Sequence, residues 1–212
     1  MNLDDFFRLG DYATDRAFGD GLIRAGMQLM APSLQRVLGT GKIRVANNSE
    51  DMYQATDVVA IGERGKLNIA LRRRKESYPW NDFTIRLHRD NGAATEFDKI
   101  IAGETDWMFY AHCDRAATSI SNWMLLSMTI WRRGMKRWGV TDWMSLRAKY
   151  ECGQLDGCVS TIQQNNDAFG DEDLPQARRK GTWFAAFDVR AWEAAGLGIV
   201  IDGTVLDKIR GT

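Results

Sequence analysis

Histidine and cysteine are scarce in this chain. His88 and His112 are the two histidines, and Cys113, Cys152 and Cys158 the three cysteines, of 212 residues. None of the cysteines forms a CxxC pair, so a structural zinc site with four close ligands is not expected. An odd set of free thiols fits a reducing cytoplasm. No stretch reaches the ~18 consecutive apolar residues of a membrane span. The opening MNLDDFFRLGDYATD is acidic and lacks a cationic n-region, so no signal peptide is expected. These absences predict a soluble, cytoplasmic protein without a membrane partner. A glycine-rich phosphate loop is also missing, because GTGK (39–42) lacks the Walker frame and its Ser/Thr. Net charge is absent too: 28 basic residues cancel 28 acidic ones. That excludes a generally basic nucleic-acid binder but leaves room for a local patch. The run Arg72 to Lys75 is the candidate.

What is present begins with 44% hydrophobic residues, enough for a core without staples. The length fits one domain, residues 1–212. Within it, 1–139 reads as the core and 140–212 as a C-terminal extension packing on it. Eight tryptophans are many for this length. Core packing and stacking on bases are the two readings.

Phe18, Leu22, Ile23, Met27 and Met30 recur at three- and four-residue steps, which predicts a helix within 3–38. Pro32 is expected to interrupt it, with a short second helix ending at Gly39 and Gly41. KIRVAN (42–47) reads as a strand. DVVAIG (57–62) is apolar on both faces, the pattern of a central strand. ERGK (63–66) is a tight turn, and LNIALRRR (67–74) alternates, so the two runs form a β-hairpin. DFTIRLHR (82–89) is a third strand. TEFDKIIAG (95–103) is a short helix capped by Thr95 and closed by Gly103. DWMFYAHC (106–113) is a fourth strand. From Ile120 to Trp138 a Met/Trp stripe at helical spacing predicts a helix with one core face. Residues 150–180 read as polar, with NNDAFGDEDLPQARRKG an exposed loop. TWFAAFDV (182–189) is a strand, AWEAAG a short helix and LGIVID a strand or packed tail. The order predicts an α+β (mixed α/β) domain with a central, mostly antiparallel sheet flanked by helices.

The helix–hairpin–strand–helix–strand order over roughly residues 15–112 resembles the restriction-endonuclease-like, or PD-(D/E)XK, nuclease superfamily. Helix FGDGLI (18–23) would supply an N-terminal acid, Asp20. TD (56–57) opens the strand where that superfamily places its metal-binding aspartate, here Asp57. IALRR (69–73) occupies the strand of the E-x-K pair. This sequence departs there: it has Ala70-Leu71-Arg72, with no acid, and arginine cannot serve as a base at neutral pH. Some members of the superfamily move the second acid to a neighbouring helix, and Glu96 with Lys99 one turn on would fill that place. The blocks TDVV, IALRRR, DFTIR, TEFDKI and DWMFYAH also resemble a family of uncharacterised phage-type proteins.

The resemblance implies a metal-dependent nuclease-like protein acting on or binding DNA. Asp57, Glu96 and Asp20 would hold Mg²⁺ or Mn²⁺, and Arg72 and Lys99 would neutralise the scissile phosphate. The missing E-x-K acid motivates a second reading, a fold that no longer cuts. It would bind nucleic acid through Arg72, Arg73, Arg74 and Lys75, or inhibit a host defence enzyme. A third reading is a protein-interaction or assembly module, a homodimer among its forms, since Trp and Arg dominate interface hot spots. Plainer roles compete at each position. Asp57 caps a turn, the arginines solvate a strand end, and Glu96 and Lys99 make an exposed helix pair. His88 and His112 in strands are structural, and the His112–Cys113 neighbours point to opposite faces, so they make no dyad.

Overall fold

The hairpin expected at 57–74 is present and lies inside the main sheet. In the computed structural model, β2 (Val58–Gly62) and β3 (Gly65–Lys75) pair antiparallel from Val58↔Ile69 to Gly62↔Gly65. Gly65 takes φ +137°, a backbone state closed to other residues, which lets Glu63 and Arg64 turn the chain. The structure describes residues 12–47, 56–75, 81–90, 92–113, 119–165 and 182–204.

Around the hairpin a six-stranded sheet forms. Its order is β1 (Gly41–Val45), β2, β3, β5 (Trp107–Cys113), β6 (Ile120–Ser127), β9 (Val200–Gly203). The β3–β5 pair is parallel and the others antiparallel. The chain crosses from β3 to β5 through β4 (Asp82–Arg89) and the helix α2 (Glu96–Ile101). The order implied by the resemblance is therefore present, with one difference. The third strand expected from DFTIRLHR leaves the main sheet. β4 pairs instead with β8 (Thr182–Asp188), which pairs with β7 (Val159–Asn165), in a second sheet ordered β4-β8-β7. Elements from beyond residue 139 thus complete both sheets. The whole is a mixed α+β fold, mostly antiparallel.

Strand alternation sorts the core into two clusters on opposite faces of the main sheet. Ile69, Leu71, Trp107, Phe109 and Ala111 meet Met30, Leu34 and Leu38 of α1 (Tyr12–Leu38). Gly26 permits that approach, since a Cβ there would lie 2.9 Å from Leu71. Ala70, Met108, Tyr110, Met124 and Leu126 face the other way, onto Phe83, Ile85 and Leu87 of β4. Phe97 of α2 and Trp131 of α3 (Met128–Arg137) join them.

Three expectations are corrected. α1 runs unbroken through Pro32 to Leu38. Proline removes one bond, but Met30, Leu34 and Leu38 seat the last turns on the sheet, and Pro32 faces out. Residues 3–11 lie outside the described residues. Ile120 to Ser127 is the strand β6, and the helix begins only at Met128. The central part of β6 is buried on both faces, and such a strand shows no period to separate it from a helix. Within 150–180, Val159–Asn165 is a strand, while 166–180 lies outside the described residues. A helix, α4 (Trp143–Glu151) with Asp142 as its cap, precedes that strand. The last elements, α5 (Val189–Ala194) and β9, fall where AWEAAG and LGIVID placed a helix and a strand.

The described tryptophans are core residues. Trp107, Trp131 and Trp192 are buried, and Trp123, Trp138, Trp143 and Trp183 pack against the two clusters. Trp80 lies outside the described residues. Among those described, no helix is long and apolar enough to cross a membrane. Cys113 and Cys158 are buried free thiols and Cys152 an exposed one.

Candidate functional site

β2 stops pairing with β3 at Val58↔Ile69, one step before Asp57. Asp57 continues the ladder by donating its N–H to the Ile69 carbonyl, 3.0 Å. Beyond that the Leu71 N–H has no strand partner on this side, and the Asp57 Oδ2 accepts it at 2.6 Å. A carboxylate fits there because a buried backbone donor needs an acceptor. Thus the plain role proposed for Asp57, satisfying backbone at a strand entry, is real.

The same oxygen faces a cation. Arg72 Nη1 lies 3.4 Å from Asp57 Oδ2 and donates to the Leu71 carbonyl at 2.7 Å. Arg72 Nε donates to Glu96 Oε1. One guanidinium therefore spans both candidate acids. Glu96 arrives from the first turn of α2, and its second oxygen, Oε2, lies 3.4 Å from the Arg86 backbone N–H, a long contact. Its side chain is 8% exposed, against 26% for Asp57 and 33% for Arg72, so the corner is screened from water on the Glu96 side.

Thr95 holds α2, and with it Glu96, in place. It accepts from the Asp98 N–H, while Asp98 Oδ2 accepts the Thr95 N–H at 2.7 Å, a capping box. Thr95 Oγ1 also donates to the Leu87 carbonyl of β4, 3.0 Å. Thr95→Ala is expected to cost about 1–2 kcal/mol, since both the cap and the tie to β4 go. Thr95→Ser should recover most of it. Denaturant melts of the three proteins check this; equal loss in both variants would remove the hydroxyl from the account.

The other candidates fall as follows. Arg72 and Arg74 share one face of β3, opposite Tyr110 and His112 of β5. Arg74 Nη1 contacts both oxygens of Asp82 at 3.1 Å. The Arg73 and Lys75 side chains lie outside the described residues, as does that of Asp20, whose backbone is in α1. Lys99 sits one turn after Glu96 in α2, its N–H closing the turn onto the Thr95 carbonyl. His88 stacks on Trp143, and His112 is buried in β5. A cleft of about 230 Å³ between α1, β1 and β2, lined by Leu34, Leu38, Gly41 and Ile43, is on the opposite face of the sheet.

One residue at the corner was not singled out from the sequence: Arg86 of β4. The alternation of DFTIRLHR had set it on the polar face with Thr84 and His88, which was the available signal. Its Nε is buried with no hydrogen-bond partner. Its guanidinium stands over the Phe184 ring, 5.6 Å from the centroid. Burial first, then the neighbouring charge of Arg89, pushes its pKa below the usual arginine value; Glu96 pulls it up and Arg72 pushes it down.

Asp57 and Glu96 do not fit a divalent ion as they stand. A hard cation of this kind takes about six oxygen ligands and relies on carboxylates not committed elsewhere. Here both carboxylates already hold Arg72, and Asp57 holds a backbone N–H as well. Among the described residues, no group of three or more acidic, histidine or cysteine side chains is placed to hold a metal.

No protein-family model matches the chain, and no curated protein matches it. Among solved structures, similarity is found to Hjc, a Holliday junction resolvase from the archaeal hyperthermophile Archaeoglobus fulgidus. It extends over 50% of this chain and 75% of that one, at 13% identity and a TM-score of 0.26. A superposition that loose transfers neither residues nor activity, so the site stands on its own geometry.

Proposed function

We propose that this chain is a nuclease-like nucleic-acid-binding protein that contacts the phosphate backbone at the Asp57–Arg72–Glu96 corner and does not cut it. One observation carries the reading: a single guanidinium lies between the two acids that a metal would need. It sets a cation there without a divalent ion, one against the two carboxylates, and arginine is suited to phosphate oxygens by its planar fork. Arg86 and Arg89 on β4 offset the remaining negative charge and suit an anionic partner, while Arg74 on β3 is paired with Asp82. DNA is the expected nucleic acid. Neither Mg²⁺ nor Mn²⁺ is required for the contact.

The second reading keeps catalysis. In it, Asp57 and Glu96 bind Mg²⁺ or Mn²⁺ after Arg72 has moved off both of them. The missing E-x-K acid at Ala70 weighs against it, and so does the occupied state of both carboxylates.

The two readings separate in one set of assays. The protein should bind labelled DNA with an affinity that falls steeply as salt rises, and a chelator should leave that affinity unchanged. Linear, circular and single-stranded DNA should survive incubation with Mg²⁺ or Mn²⁺. Metal-dependent cleavage that disappears in Asp57→Ala would overturn the proposal in favour of the nuclease. Absence of binding at low salt would overturn both.

A further inference from the structure

The second sheet has one face in the core and one outside it. Phe83, Ile85, Ala185 and Phe187 point into the cluster against the main sheet. The opposite face carries a row across all three strands, because Arg86 pairs with Phe184 on β8 and Phe184 with Gln163 on β7. Residues directly opposite in a ladder put their side chains on the same face. The row is thus a guanidinium, an aromatic ring and an amide, side by side. Thr84 and Thr161 flank it on one side, opposite Ala186.

Phe184 is the unusual member. It belongs to neither core cluster and is not among the half-buried apolar side chains that pack on them. Every described tryptophan does pack on a core, so this ring stands apart from the other described large aromatics. In the sheet β8 lies between β4 and β7. Gln163 is exposed. The only charged side chain of the row is cationic, and its Nε has no hydrogen-bond partner. The row also runs into the corner described above, since the Arg86 N–H faces Glu96.

We propose that Arg86, Phe184 and Gln163 form a strip that binds single-stranded nucleic acid beside the Asp57–Arg72–Glu96 corner. This rests on the phosphate-binding reading of that corner and names the form of the nucleic acid. Arg86 takes a backbone phosphate by charge-assisted hydrogen bonds from the terminal nitrogens of its guanidinium, its Nε being buried. Phe184 offers ring surface to an unpaired base, a contact that any base satisfies. Gln163 has donors and an acceptor for a base edge. A duplex hides its base faces by stacking, so it reaches Arg86 but not Phe184. The strip therefore prefers single strands, and the preference lives in the ring, not in the charge.

The test is fluorescence anisotropy of the full-length protein with labelled oligo-deoxythymidine, oligo-uridine and a duplex, each about 15 nucleotides long, within the range that such grooves cover. Phe184→Leu keeps an apolar side chain on the sheet and removes the ring. It should weaken the single strand about tenfold and leave the duplex within about twofold. Phe184→Ala should do the same, with thermal melts confirming the fold. Arg86→Ala should weaken single strand and duplex alike. The deoxythymidine and uridine arms tell which sugar is preferred, and loss in either upholds the strip. If wild type binds DNA but both Phe184 variants keep full affinity for single strands, the strip is wrong and the corner reading survives. Equal loss on the duplex also overturns it. If wild type binds no nucleic acid, the corner reading fails and the strip falls with it.

Discussion

Arg72→Ala is expected to lower stability by about 2 kcal/mol, and the melting temperature by about 4–8 °C for a chain of this size. Removing one partner of a buried ion pair generally costs more, about 3–5 kcal/mol. Arg72 is a third exposed and Asp57 a quarter, so water recovers part of that. The loss has a specific origin. Asp57 and Glu96 remain where Leu71 and α2 hold them, with no cation between them. Two consequences follow from that origin. Glu96→Gln in the Arg72→Ala background should restore part of the stability, whereas Glu96→Gln alone should lower it. Added Mn²⁺ should raise the melting temperature of Arg72→Ala more than that of wild type, because a ligand that binds only the folded state stabilises it. Arg72→Lys keeps the charge as a single point and cannot span both acids, so it should fall between the two. If Arg72→Ala melts like wild type with or without Mn²⁺, the guanidinium is not the internal counter-ion of this corner.

Trp131→Ala should be the most damaging single change, at about 4 kcal/mol. Its indole is fully buried in α3. The ring meets Phe97 of α2 edge-on, 5.6 Å between centroids, and Phe187 of β8 at the same 5.6 Å. It therefore joins the crossover helix that carries Glu96 to the second sheet that carries Phe184. Its removal leaves a cavity at the junction of three elements, and a melting temperature lower by roughly 8–16 °C follows. Trp131→Phe should cost only about 1 kcal/mol. The indole N–H is buried without a hydrogen-bond partner, so the phenyl ring loses contact area but also relieves an unsatisfied donor. A Trp131→Phe protein as unstable as Trp131→Ala would show that the N–H has a partner.

The local parts of this fold were legible because their signals are local. LNIALRRR alternates, ERGK holds a glycine where the turn needs positive φ, and TEFDKI carries its own capping box. What was not legible depends on neighbours distant in sequence. MLL in β6 is buried on both sides, so neither period shows, and Ile120, Trp123 and Met124 fall by chance into helical steps toward Met128 of α3. Pro32 reads as a break because its cost is local, while the packing of Met30, Leu34 and Leu38 that offsets it is not. β4 was recognisable as a strand, but nothing in DFTIRLHR says that its partner lies a hundred residues on, in TWFAAFD.

The corner divides in the same way. Sequence spacing puts Asp57 at a strand entry and Glu96 on a capped helix turn, and that they share a site is what the resemblance implies, not what the spacing shows. Arg72 was visible as a departure from E-x-K, but its place between the two acids appears only when β3 and α2 are brought together. Arg86 and Phe184 are neighbours only through the β4–β8 ladder, so no local pattern joined them.

Arg72 is proposed to stand where a metal would otherwise bind. Titration of Mn²⁺ into wild type and Arg72→Ala, followed by calorimetry or by the electron spin signal of the free ion, tests it directly. No site is expected in wild type, and one site in Arg72→Ala that Asp57→Asn removes. A single Mn²⁺ bound by wild type and lost in Asp57→Asn would contradict it.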